Sequence, residues 1–197
     1  MTAPDHLERR RAVVIAGHTG DAAIVQSGLD DADAGVREAA LGALARLGSF
    51  DVDIARRFAS DPAPRVRRRV AELAAALGDF DLLPLLDDDD SSVVETAAWA
   101  GGEQVEVADV TLHRIIELAT SHDDVLVREA AVAALGAIGD ERGLPAILRG
   151  CSDKPAIRRR AVLALAPFDG PEVEAALKVA LEDRDWQVRQ AAEDLLG

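Results

Sequence analysis

Six segments of this chain share one pattern, and their spacing leaves few folds open. Val36, Val66, Val93, Val127, Ile157 and Val188 each open an apolar stripe, at successive separations of 30, 27, 34, 30 and 31 residues. In the clearest copy, Val127, Ala131, Ala134, Leu135 and Ile138 fall at i, i+4, i+7, i+8 and i+11. That is one face of a 3.6-residue period. Gly139 stands where such a helix would end, and Asp124 stands where it would be capped.

A period near 30 residues holds two short helices and two turns. Gly20-Asp21, Gly78-Asp79 and Gly139-Asp140 mark boundaries between copies. The spacing predicts first helices over roughly 21–28, 51–59, 80–86, 109–120, 143–150 and 171–182. An Asp-rich turn follows each, then a second helix over 34–47, 63–77, 91–100, 125–138, 155–167 and 186–196. A leading helix over 5–18 precedes them, with Ala12, Ile15 and Ala16 expected to face inward.

One helix pair cannot bury its own apolar face, so each must lean on its neighbours. The expected fold is therefore all-α: an α-solenoid, a right-handed superhelix of about six helix pairs plus the leading N-terminal helix. It reads as a single domain over 1–197, with repeats at 21–48, 49–78, 79–104, 105–139, 140–169 and 170–197. Gly101-Gly102 lies halfway along a second helix and is expected to end it early, giving an irregular break over 101–109.

Composition narrows the function. Hydrophobic residues make up 49% of the chain and aromatic residues only 3%, with no Tyr, which suits closely packed Ala/Leu/Val helices. A net charge of −14 repels nucleic acid and anionic membranes on average. The single Cys excludes an intramolecular disulfide and a Cys-based metal site within one chain. No apolar run approaches the roughly 20 residues that cross a bilayer. A cytoplasmic protein is expected, with no cofactor and no metal.

Catalytic patterns are missing. The four histidines, His6, His18, His113 and His122, form no paired ligand motif, and no His-Glu dipeptide occurs. Gly-rich phosphate loops are absent. Asp87 to Asp90 lacks the ligand spacing and Gly of a calcium loop.

The grammar Leu-Pro-x-Leu … Asp-x-x-Val-Arg-x-x-Ala-x-x-Ala-Leu-Gly resembles HEAT-like repeats of the phycobilisome-lyase type. Residues 140–169 and 120–139 carry it best, and 29–48 and 181–197 carry it well. The resemblance implies a structural ladder in which Asp and Arg bridge neighbouring repeats: Asp33, Arg37, Arg67, Asp124, Arg128, Arg158, Asp185 and Arg189. That ladder is expected to be weakest where Val94 replaces Arg, and where Ala63 and Lys154 replace Asp.

Arg67-Arg68-Arg69 and Arg158-Arg159-Arg160 occupy identical repeat positions, as does Arg9-Arg10-Arg11 when Gly20 is aligned as a boundary. Positive charge in a first helical turn opposes the macrodipole, so acidic groups should offset it. Neighbouring Asp turns are the plainer source, and an acidic partner segment or phosphate is the other. Trp99 also has two readings. It either plugs the gap left by a shortened helix, the favoured expectation, or stands on the inner surface as a partner anchor.

The function expected is a non-enzymatic scaffold or adaptor binding another protein along the concave face of the second helices. The alternative is an accessory subunit of a phycobilin-lyase-like enzyme. Helical geometry offers Arg37, Glu38, Arg68, Arg69, Glu72, Glu95, Trp99, Glu129, Arg159, Arg160, Gln190 and Asp194 as contacts. The chain itself is expected to be a monomer or weak oligomer.

Overall fold

Short polar turns set where seven of the helices begin. Asp5, Asp21, Asp33, Asp51, Asp90, Asp124 and Asp185 each accept a hydrogen bond from a backbone N–H of the helix that follows. Where Ala63 and Lys154 occupy the cap and supply no such bond, Pro64 and Pro155 open the helix. Proline there fixes φ and removes one of the orphan donors. Gly20 and Gly139 close their helices in the left-handed region, at φ 84° and 67°.

In the computed structural model, residues 5–197 are described; these form thirteen α-helices and one 3₁₀ turn, and no strand. Contacts divide the chain into two compact units, one ending at Phe80 and the other spanning Asp81–Gly197. The first contains α1 (His6–Thr19), α2 (Ala22–Gly28), α3 (Ala34–Arg46), α4 (Val52–Phe58) and α5 (Pro64–Ala74). Here α1 packs on α3 and α3 on α5, while α2 and α4 form a second layer.

The second unit contains α6 (Leu83–Leu86), α7 (Ser91–Glu103), α8 (Asp109–Ser121), α9 (Val125–Ile138) and α10 (Leu144–Gly150). It continues with α11 (Pro155–Ala164), α12 (Pro171–Ala180) and α13 (Trp186–Leu196). Here α7, α9, α11 and α13 pack in series, and α6, α8, α10 and α12 lie behind them. Each unit is thus a stack of helix pairs.

The stripe-opening residues form the seam. Val36, Val66, Val93, Val127 and Ile157 are fully buried, and Val188 is 1% exposed. Each such burial contributes about 1.5–3 kcal/mol relative to exposure. No helix is long and apolar enough to cross a membrane, among the described residues.

Three local expectations are corrected. The helix α7 does not stop at its glycines but runs through Gly101 and Gly102 to Glu103, so the irregular stretch shrinks from 101–109 to 104–108. The glycines serve packing. A Cβ on Gly101 would sit 2.8 Å from Ile115, and one on Gly102 would sit 2.9 Å from the Ala134 backbone. In α1 the buried face is Val13, Ala16 and Gly17, whereas Ala12 and Ile15 are exposed. Gly17 turns that face inward because its missing Cβ lets α1 come within reach of Ala43. The first helix of the third repeat is one turn, Leu83–Leu86, because Asp81 and Leu82 form the turn before it.

Candidate protein-docking groove

The second helices are spaced by an arginine at their fourth position. Arg37 of α3 donates from Nε and Nη2 to the two carboxylate oxygens of Asp61, both at 2.8 Å. Its Nη1 reaches back to the Asp31 carbonyl at 2.9 Å. Arg158 of α11 repeats this fork on Asp183 at 2.8 Å and holds the Asp153 carbonyl at 2.9 Å. Arg128 of α9 grips Asp153 at 3.0 and 3.2 Å. Arg9 of α1 grips Asp31 at 2.6 and 3.0 Å. Arg67 and Arg189 make the carbonyl contact, to Asp61 and Asp183, at 2.8 and 2.7 Å.

These forks hold the carboxyls of Asp31, Asp153 and Asp183 below the ordinary value, chiefly through the arginine hydrogen bonds. At Asp61 burial pulls upward, but Arg37 and the Ala63 N–H outweigh it and the carboxyl is again held low.

The aspartates of this ladder differ from those expected. Asp33, Asp124 and Asp185 are helix caps within their own repeats, and the bridging carboxylates stand just before the cap position. Asp31, Asp61 and Asp183 stand two positions before Asp33, Ala63 and Asp185, and Asp153 stands one position before Lys154. The ladder is therefore intact at Ala63 and Lys154, where weakness was expected, because Asp61 and Asp153 carry the bridge. In α7, Val94 stands where the arginine belongs, 2% exposed. His122 stands in the corresponding turn position, its Nδ1 accepting the Asp124 N–H at 3.1 Å.

With the second helices held in register, their free faces make a surface. In the second unit, Glu95, Thr96 and Trp99 of α7 face Leu126, Glu129, Ala130 and Ala133 of α9, with Arg160 of α11 at the rim. They line an open groove of about 560 Å³. Alanines floor it because α7 and α9 approach closely at Gly102 and Ala134. Trp99 is 45% exposed and Leu126 55%, so the tryptophan does not plug the helix end. Ile115 and Ala134 already fill the space beside Gly101 and Gly102. Arg160 lies 3.5 Å from Glu129.

A smaller groove of about 150 Å³ follows between α11 and α13, lined by Arg159, Leu163, Trp186, Gln190 and Asp194 among others. Trp186 is 65% exposed, and Gln190 donates to Asp194 at 2.9 Å. Trp186 and Leu126 were not among the expected contacts. Each sits in the first turn of a second helix, where a large apolar residue beside a cap was readable.

The contacts expected in the first unit are spent mostly on the protein itself. Arg37 belongs to the ladder, Glu38 pairs with Arg65, and Arg69 pairs with Glu72 at 2.7 Å while lying over Gly42. Arg68 is exposed. Acidic groups of the chain thus offset the first and third members of the later triplet, Arg158 and Arg160. Among the described residues no three His, Cys, Asp or Glu side chains cluster as a metal-ligand set.

Comparison with known proteins bears on the repeats. A family profile described as HEAT repeats matches residues 24–100 and 80–155. The YibA protein of Escherichia coli is 19% identical and superposes with a TM-score of 0.65, covering 100% of this chain and 76% of that one. An engineered protein, also 19% identical, superposes at 0.64 over 87% of this chain and 95% of its own. Human deoxyhypusine hydroxylase, 20% identical, superposes at 0.50 over 98% of this chain and 79% of its own. These likenesses are of fold. None of the curated proteins matches the chain in sequence.

Proposed function

The chain belongs to the HEAT-repeat family, and from that premise we propose that it is a non-enzymatic scaffold that binds another protein along its second helices. The groove around Trp99 is the principal contact. The supporting observation is the exposure of Trp99 and Leu126 together on one lined surface, in a protein whose other large apolar side chains are mostly buried. Tryptophan is enriched among the residues that carry most of the binding energy at protein interfaces. The scaffold acts in the cytoplasm as a monomer or weak oligomer.

Affinity capture from the native cell, read by mass spectrometry, tests this. The bait is compared with Trp99→Ala and Leu126→Asp variants, both at exposed positions that leave the seam untouched. A partner recovered by the parent and lost by both variants is expected. Recovery that ignores both substitutions rejects the groove.

One observation favours a second reading. The repeat grammar of 120–139 and 140–169 resembles that of phycobilisome-lyase-type repeats, which supports an accessory role beside a phycobilin lyase. Co-expression with a bilin and its acceptor protein, followed by absorbance of the complex, tests it.

A further inference from the structure

We propose that the Trp99 groove takes a basic segment of the partner, with an arginine or lysine side chain seated against the indole between Glu95 and Glu129. This rests on the docking reading above and specifies the chemistry of what docks. Charge is the first argument. Residues 81–197 hold 24 acidic and 11 basic side chains, a net −13, whereas residues 1–80 hold 12 and 11, a net −1. The acidity of the protein therefore belongs to the unit that carries the groove, and it steers cations toward it.

The lining is the second argument. Glu95 lies four residues before Trp99, one turn away on the same face of α7. Among the described residues, no arginine or lysine of the chain pairs with it, unlike Glu38, Glu72, Glu117 and Glu129. A carboxylate and an exposed indole lining the same groove attract a cation twice, through the charge and through the ring quadrupole. Across the groove, Glu129 already holds the guanidinium of Arg160, loosely at 3.5 Å and 44% exposed. One guanidinium is thus accommodated at the rim, and the place beside Glu95 and Trp99 is open to a second.

The competing chemistries fare worse. An acidic segment would meet Glu95 and Glu129 within a strongly negative unit. An uncharged apolar segment would cover the Glu95 carboxylate without supplying a counter-ion, which is unfavourable. A basic residue flanked by apolar ones satisfies both the carboxylates and the Trp99–Leu126 surface.

A naive random-peptide display library selected on the full chain, with counter-selection on Trp99→Ala, tests the proposal. Expected are Trp99-dependent peptides enriched in Arg and Lys, whose affinity falls about threefold or more in Glu95→Gln. Circular dichroism melting of both variants checks that the fold is kept. Trp99-dependent peptides that are acidic or uncharged would overturn the basic partner and leave the scaffold standing. Basic peptides indifferent to both Trp99→Ala and Glu95→Gln would overturn it as well, as attraction to net charge alone. No Trp99-dependent peptide of any kind would count against both readings.

Discussion

Arg158 and Asp183 form a two-pronged bond, 2.8 Å on each arm, between side chains that are 9% and 15% exposed. The same Asp183 also accepts the Asp185 N–H at 2.8 Å, and Asp185 in turn caps α13. One turn therefore contains a carboxylate that bridges repeats and a carboxylate that starts a helix. Removing Asp183 strands a nearly buried guanidinium, and removing Asp185 only frees a helix N–H. Asp183→Ala should destabilise the protein by about 2–3 kcal/mol and Asp185→Ala by about 1 kcal/mol. Urea unfolding of the two variants measures the difference; equal losses would deny the division of labour.

Acid should loosen the ladder. Asp31, Asp153 and Asp183 have folded values depressed below the ordinary 3.8, chiefly by their arginines. Their contribution is then complete above the unfolded value and is lost as pH falls through 3.8 toward the lower folded values. Melting temperature should be flat in this respect from neutrality to about pH 5 and fall steeply below about pH 4. In Arg128→Met and Arg158→Met variants the acid-side slope should be shallower.

The break in the ladder is a paired substitution. Val94 and His122 replace arginine and aspartate at matching repeat positions, which avoids leaving either charge without its partner. Val94→Arg by itself should cost about 2–3 kcal/mol by burying an unanswered guanidinium. Adding His122→Asp should recover about 1 kcal/mol or more, measured as the coupling energy of a double-mutant cycle.

Close helix approach predicts a third class of effect. A Cβ on Gly136 would meet the Ala164 backbone and side chain at 2.6 Å, while one on Gly78 would meet nothing within 4 Å. Gly136→Ala should therefore destabilise by about 1–3 kcal/mol through forced separation of α9 and α11. Gly78→Ala should be within about 0.5 kcal/mol of the parent. Thermal melts of the pair give the comparison.

Trp99 can be read by its own light. The chain has two tryptophans, and Trp186→Phe isolates Trp99 at 45% exposure. Its emission should be that of a half-solvated indole and should be quenched readily by acrylamide. A blue, quencher-resistant band would mean the ring is packed away and the groove closed.

The residue pattern by itself determined the helical repeat. Valines and isoleucines at a near-30-residue period must be buried, and a 3.6-residue stripe has only one way to do that repeatedly. The Asp124 cap was legible too, because capping is local. Tertiary structure alone decided which aspartate of each turn bridges, since that depends on where the preceding helix places its arginine. It also decided that Gly101 and Gly102 let helices approach instead of ending one. A glycine looks the same in sequence whether it frees the backbone or makes room for Ile115 and Ala134. The exposure of Trp99 followed from that second choice, for a helix that continues leaves no gap for an indole to fill.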